Sequence, residues 1–306
     1  MKELQANFLS DLETLAAREL QKRSIGKPKL RKLRGDREPD ALRKLLTVEH
    51  RLVPQRRRRS IWSDVLVSRP IDAQVELVKR IAAESEAGED LSHYLGRGVG
   101  RAEPDAQFND WGLTHFHLGE RQPGQMFSKS TSELLFVMVT IDLLYLVDIG
   151  SHTSFEDPRL FETLHRNWPE QLAANRVPNV VPGSSSLSLE RAAHLRKAGF
   201  TTLNQVSDGT IYFSPGLGQT FSGLSVRVGR MADRTMTRVR EFQLLCETQL
   251  NRLVTEATQF GVFITGSLSL RLCEVGAVLV AEDIQRRFWI SLDDRGVLQI
   301  SRTRLR

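Results

Sequence analysis

The sequence predicts an α+β protein. A small antiparallel sheet with flanking helices follows a basic helical N-terminal region and precedes a module of one long helix and a β-rich end. Three observations predict this. Two apolar runs, Leu134 to Thr140 and Leu143 to Ile149, are joined by the short link Ile141-Asp142, as in a tight β-hairpin. Apolar residues at three- and four-residue spacing mark amphipathic helices on either side of it. Short apolar strands, the last two joined by the turn Asp293-Asp294-Arg295-Gly296, fill the C-terminal end.

Taken in order, residues 3–24 read as an amphipathic helix carrying Leu4, Phe8, Leu12, Leu15, Ala16 and Leu20 on one stripe. A basic segment punctuated by Gly and Pro follows, with Lys27, Lys29, Arg31, Lys32 and Arg34. A second basic run, Arg56, Arg57, Arg58 and Arg59, precedes Ile61-Trp62. Residues 71–86 form a helix through Val75, Leu77, Val78 and Ile81, broken at Gly88. Leu91 to Arg101, with Gly96, Gly98 and Gly100, reads as a linker or surface turn, because this glycine pattern follows no strand and opens no clear helix. Leu113 to Leu118 alternates as a strand, with Phe116 on one face and His115 and His117 on the other. Glu120 to Ser132 is a polar loop. The hairpin comes next, and its continuous apolarity calls for cover on both faces.

Asp157 caps and Pro158 opens a helix through Leu160, Phe161, Leu164 and Trp168. Pro178 to Ser186 is a connector, and Leu187 to Gly199 is a helix. Thr201 to Phe213 holds two short strands turning at Ser207-Asp208-Gly209. The longest helix is expected at about 222–258. Its near-heptad stripe through Leu224, Val228, Met231, Thr235, Val239, Phe242 and Cys246 serves an intrachain core or the seam of a homo-oligomer. Strands at Val262 to Leu272, Ala277 to Ala281, Phe288 to Leu292 and Val297 to Ser301 complete a division into 1–105, 106–215 and 216–306.

Composition bounds the function. Hydrophobic residues make up 40% and charged residues 26% of 306, so a packed core is available and disorder is not the expectation. No apolar run approaches the roughly 18–20 residues of a membrane span, and Met1 to Asn7 lacks the apolar core of a secretory signal. Two cysteines without metal-like spacing point to a reducing cytoplasm. The net charge of +6 is uneven: residues 1–60 hold 17 basic against 8 acidic groups, a net of +9, and the remainder sums to −3. Contact with a phosphate backbone therefore belongs to Lys27, Lys29, Arg31, Lys32, Arg34 and Arg56 to Arg59, unless these form only a solvated arm.

Four of the seven histidines fall between positions 115 and 165: His115, His117, His152 and His165. Cleavage of RNA without metal needs a base for the 2′-hydroxyl, an acid for the leaving 5′-oxygen and a cation for the phosphoryl oxygens. His115 and His117 fit the first two roles, His152 assists, and Arg121 and Lys129 on the following loop supply the charge. Asp110 or Asp148 orients an imidazole. The plain alternative is a pair of half-buried structural histidines. The same residues, with Asp148, His152 or His165, also match a zinc ligand set, but no H-E-x-x-H or Cys-pair spacing supports it, so no metal or cofactor is expected. Gly216-x-Gly218 before the long helix reads as a loop rather than an anion site. There is no Ser-His-Asp signature, P-loop or dinucleotide fingerprint.

The phrase Asp110-Trp111-Gly112-x-x-His115-x-His117-Leu118-Gly119, with Glu133 to Val137, Tyr145 to Ile149 and His165 to Pro169, resembles a family of uncharacterised bacterial and mobile-element proteins over about 109–169. The layout is more distantly similar to small antiparallel-sheet ribonuclease toxins of the barnase, colicin and mRNA-interferase type. That similarity implies metal-independent RNA cleavage in a toxin or phage-defence role, with an inhibitor protein as a partner. The rival expectation is a non-catalytic nucleic-acid-binding or assembly protein with a basic arm.

Overall fold

The computed structural model describes residues 3–23, 40–119, 126–127, 131–180, 191, 194–195, 198, 200–285 and 287–302. The expected basic segment at 27–34, the loop cations Arg121 and Lys129, and most of the helix expected at 187–199 lie outside the described residues. In chain order the first elements are β1 (Leu4–Gln5), α1 (Phe8–Arg23), α2 (Asp40–Arg51), β2 (Arg59–Trp62), α3 (Asp64–Val67) and α4 (Ala73–Ala87). Then come α5 (Ala106–Trp111), β3 (Leu113–His117), β4 (Glu133–Val139), β5 (Leu143–Ser151), α6 (Pro158–Asn167), α7 (Pro169–Leu172), β6 (Asn204–Gln205) and β7 (Ile211–Tyr212). The chain continues through α8 (Val226–Thr248), α9 (Leu250–Gln259), β8 (Leu268–Val275), β9 (Leu279–Asp283), β10 (Trp289–Leu292) and β11 (Leu298–Ser301). The fold is α+β with small sheets. None of the helices among the described residues is long and apolar enough to cross a membrane.

The chain divides into two compact units, and not at 105 and 215. One comprises residues 1–23, 37–45 and 230–306; the other comprises 24–36 and 46–229. Ends of the chain that are far apart in sequence meet because β1 pairs in parallel with β8, a non-local contact with no local sequence signature.

In the first unit, α1 buries Phe8, Leu12, Ala16 and Leu20, the stripe its spacing predicts, and the Phe8 ring lies 5.2 Å from Phe242. The expected helix at 222–258 is two helices, α8 and α9, parted at Gln249. Its buried stripe runs through Ala232, Met236, Val239, Phe242 and Cys246, one position on from Met231 and Thr235. The stripe that a homo-oligomer seam requires is thus already covered by the chain itself. The first C-terminal strand starts at Leu268 rather than Val262 and leads the antiparallel run β8-β9-β10-β11.

The second unit is built on a four-stranded sheet in the order β2-β5-β4-β3. The hairpin β4-β5 is where the apolar runs predict it. The sheet is mixed, however, because β2 pairs in parallel with β5, Arg59 opposite Leu143 and Trp62 opposite Leu146. Both faces are covered, as the unbroken apolarity demands. Phe116, Leu135, Val137, Leu144 and Leu146 pack with Val75, Val78 and Ile81 of α4 on one side. Leu113, Leu134, Phe136, Tyr145 and Val147 meet Leu160, Phe161 and Leu164 of α6, and Trp168 just after it, on the other. Each fully buried large apolar side chain contributes about 1.5–3 kcal/mol, so this pair of layers is the rigid frame of the unit.

Two expectations from the sequence are corrected by the fold. Leu91 to Arg101 is no linker: Leu91, Tyr94, Leu95 and Val99 join the α4-side core. Nor are Arg56 to Arg59 a uniform phosphate-facing run. Arg58 is only 3% exposed and donates to the carbonyls of Thr140, Pro54 and Arg56, which ties the entry of β2 to the hairpin turn. Arg56 pairs with Asp142 at 3.2 Å, while Arg57 and Arg59 face solvent.

Candidate active site

β3 leaves α5 at Gly112, and the two-residue pleat then places Leu113, His115 and His117 on one face of the sheet. Leu113 is covered by the α6 layer, whereas His115 and His117 lie further along the strand. There β5 ends in a short 3₁₀ turn. Ser151 caps it, accepting from the Thr153 amide, while Ser154 Oγ accepts from the Ser151 amide. This turn delivers His152 and Phe155. The three imidazoles converge: ring centroids are 5.8 Å apart for His115 and His117, 5.7 Å for His117 and His152, and 6.4 Å for His115 and His152.

All three line one cleft of about 600 Å³. Arg51 and residues of the segment from Gly96 to Gln107 complete its lining with Phe155, whose ring centroid is 4.9 Å from His115 and 5.3 Å from His152. Among the described residues the cations of the cleft are Arg51, Arg97 and Arg101, of which Arg51 pairs with Asp105 and Arg101 with Glu103. They stand where the sequence led us to expect Arg121 and Lys129, which are not among the described residues.

Each histidine has a distinct environment. Asp105 caps α5 by accepting from the Phe108 amide, and its other oxygen takes a 2.8 Å bond from Arg51, which also donates to the Glu103 carbonyl. That same oxygen lies 3.6 Å from His115 Nδ1, an ion-pair distance rather than a hydrogen bond. Burial lowers the His115 pKa below its ordinary value; Asp105 opposes the shift, and Arg51 and His152 add to it. His117 is 3% exposed, and its Nδ1 accepts from the Thr131 amide at 3.1 Å. Its neutral form therefore carries the proton on Nε2. Burial, with help from His115 and His152, lowers its pKa to about 4. Nε2 abuts Gly96 so closely that a Cβ there would lie 2.9 Å away, so any larger residue must push the His117 ring aside. His152 is exposed at the rim.

The other candidates lie elsewhere. Asp110 is buried, accepts from Ser214 Oγ and bonds through its carbonyl to the Gly216 amide, so it anchors a loop rather than an imidazole. A Cβ on Gly216 would fall 2.3 Å from the Asn109 carbonyl oxygen, which makes Gly216-x-Gly218 a packing feature. Asp148 sits on β5, 3.7 Å from Arg69, with its pKa raised by burial, and is not in the cleft lining. His165 bonds Tyr212 and pairs with Asp208. Among the described residues, no group of three or more His, Cys, Asp or Glu is arranged to hold a metal ion.

Sequence reasoning missed Arg51, Asp105, Gln107, Phe155 and the glycine segment. Two signals pointed to them: Asp105 three residues before Phe108 at the start of a helix, and the closely spaced Gly96, Gly98 and Gly100. No family model, curated protein or solved structure matches this chain.

Proposed function

We propose that this protein is a metal-independent endoribonuclease acting in the cytoplasm. The observation that carries the reading is the convergence of His115, His117 and His152 on one arginine-bearing cleft. In the reaction, His115 Nε2 takes the 2′-hydroxyl proton, with the Asp105 carboxylate 3.6 Å from Nδ1 to favour the imidazolium that forms. The 2′-oxygen bonds to phosphorus as the bond from phosphorus to the 5′-oxygen breaks. His152, exposed at the rim, gives a proton to that leaving oxygen. The products are a 2′,3′-cyclic phosphate and a 5′-hydroxyl. His117, with Nδ1 engaged by Thr131 and Nε2 against Gly96, holds the cluster in place, and Arg97 and Arg101 of the lining add positive charge for the phosphoryl oxygens. This departs from the simple pairing of His115 with His117, because the two nitrogens of His117 are already committed.

A toxin or phage-defence role with an inhibitor protein belongs to this proposal through the distant similarity of layout to small antiparallel-sheet ribonuclease toxins. The second reading, a nucleic-acid-binding module without catalysis, draws on the net +9 of residues 1–60. One experiment separates them. Purified protein is incubated with single-stranded RNA in EDTA, and the expected result is cleavage that His115→Ala slows by about 10²–10⁴-fold without loss of fold. Intact RNA with the folded wild type, accompanied by salt-sensitive binding, supports the module instead.

A further inference from the structure

The cleft holds a polar group that the proposed chemistry leaves unused. Gln107, on the second position of α5, is 6% exposed, lines the cleft, and among the described residues has no hydrogen-bond partner on either its amide nitrogen or its amide oxygen. Leaving a buried carboxamide unpaired is unfavourable, and a complementary ligand edge relieves that cost. Phe155 is a second feature of the same kind: a half-buried aromatic ring in the cleft wall, beside His115 and His152.

Building on the nuclease reading above, we infer that the cleft takes one unpaired nucleotide, its base stacked on Phe155 and its edge bonded by the Gln107 carboxamide, with adenine preferred. Three arguments support this. The cleft volume of about 600 Å³ lies in the small-ligand range of about 300–1,000 Å³, which suits a splayed-out nucleotide and excludes a stacked duplex. An aromatic wall next to the reacting groups is the platform that unstacked bases use, and it places the phosphate of the stacked nucleotide near the imidazoles. A carboxamide offers one donor and one acceptor side by side, and the bidentate partner of glutamine among the bases is adenine through N6 and N7.

The test is calorimetric titration of the wild-type protein with the four nucleoside 3′-monophosphates. Adenosine 3′-monophosphate is expected to bind about tenfold or more tightly than the others. Gln107→Leu should bring the four within about threefold of one another, and Phe155→Leu should weaken all four alike by about tenfold. If Gln107→Leu fails to fold, N6,N6-dimethyladenosine 3′-monophosphate on the wild type replaces it, since methylation removes the N6 donor; about tenfold weaker binding than adenosine 3′-monophosphate is expected. Equal binding of all four nucleotides, an adenine preference that survives Gln107→Leu, or no loss on N6 methylation overturns the inference. Its failure is distinct from that of the nuclease reading. RNA cut in EDTA without base preference defeats only the base site, and Gln107-dependent adenine preference with RNA left intact defeats only the catalysis.

Discussion

At the scale of single residues, the chemistry rests on three imidazoles made unequal by their surroundings. His115 is held below its ordinary pKa chiefly by burial, with Asp105 pulling the other way. It therefore remains a base at pH values where a free imidazole is protonated. The pH–rate profile is expected to have its acidic limb below the ordinary imidazole range, which a series of single-turnover rates from pH 4 to 8 measures. Asp105→Asn removes the one contribution that raises this pKa, so the limb should move further toward acid while the rate falls; a limb moving upward would show that Asp105 does not act on His115. His117 makes a separate prediction about stability. Its folded pKa, about 4, lies below the 6.5 of the unfolded chain. Between those values the unfolded state binds more protons, so this contribution is present above pH 6.5 and is lost as pH falls toward 4. The lowering corresponds to roughly 3 kcal/mol. Denaturant midpoints measured across that window should drop for the wild type and drop less for His117→Asn, whose amide oxygen can still accept from Thr131.

At the scale of elements, the site depends on how closely neighbouring segments approach. Gly96→Ala places a methyl group 2.9 Å from His117 Nε2 and must displace that ring. Activity is expected to fall about 10–100-fold, since a shift of about 1 Å costs on that order, with little change in melting temperature. Arg58 is an element-scale residue as well. Arg58→Ala strips buried carbonyls of their donor at the junction of β2 with the hairpin, and a loss of about 2–4 kcal/mol in unfolding free energy is expected. Arg57→Ala, at an exposed position, should leave stability nearly unchanged.

Much of this level was legible in the sequence. The hairpin β4-β5, the alternation of β3 and the Asp157-Pro158 start of α6 are local signals, and each sits where its spacing puts it. β2 was hidden because its partner is a parallel strand more than 80 residues away and its first residue is an arginine at the end of a basic run. Leu91 to Arg101 was misread because its glycines mask apolar residues whose spacing follows neither a helix nor a strand. Of the site, His115, His117 and His152 were readable as titratable groups clustered along the chain. Asp105 was readable only as a helix cap, and its place in the cleft, like that of Arg51 and Gln107, comes from tertiary packing around α5.

At the scale of the whole molecule, charge and chemistry occupy different parts of the sequence. Residues 1–60 carry +9 and the remaining 246 sum to −3, while the described histidine cleft takes only Arg51 from that basic segment and draws Arg97 and Arg101 from beyond it. Replacing Lys27, Lys29, Arg31, Lys32 and Arg34 by Gln in the full chain should therefore weaken RNA binding without altering the chemistry of cleavage. The slope of log affinity against log salt, from anisotropy titrations with single-stranded RNA, should become shallower by about 0.7 for each phosphate no longer neutralised. An unchanged slope would place the backbone-binding cations elsewhere.

The claim on which these predictions rest is that the cleft breaks a phosphodiester bond by means of the neighbouring 2′-hydroxyl, without metal. It is tested most directly with an oligonucleotide that is deoxyribose throughout except for one adenosine ribonucleotide, incubated with the wild-type protein in EDTA and resolved by mass spectrometry. The expected result is a single cut 3′ to the ribonucleotide, leaving a 2′,3′-cyclic phosphate and a 5′-hydroxyl, and no cutting of the all-deoxyribose strand. An uncut chimera, cutting that begins only when a divalent metal is supplied, or cutting of the all-deoxyribose strand would contradict it.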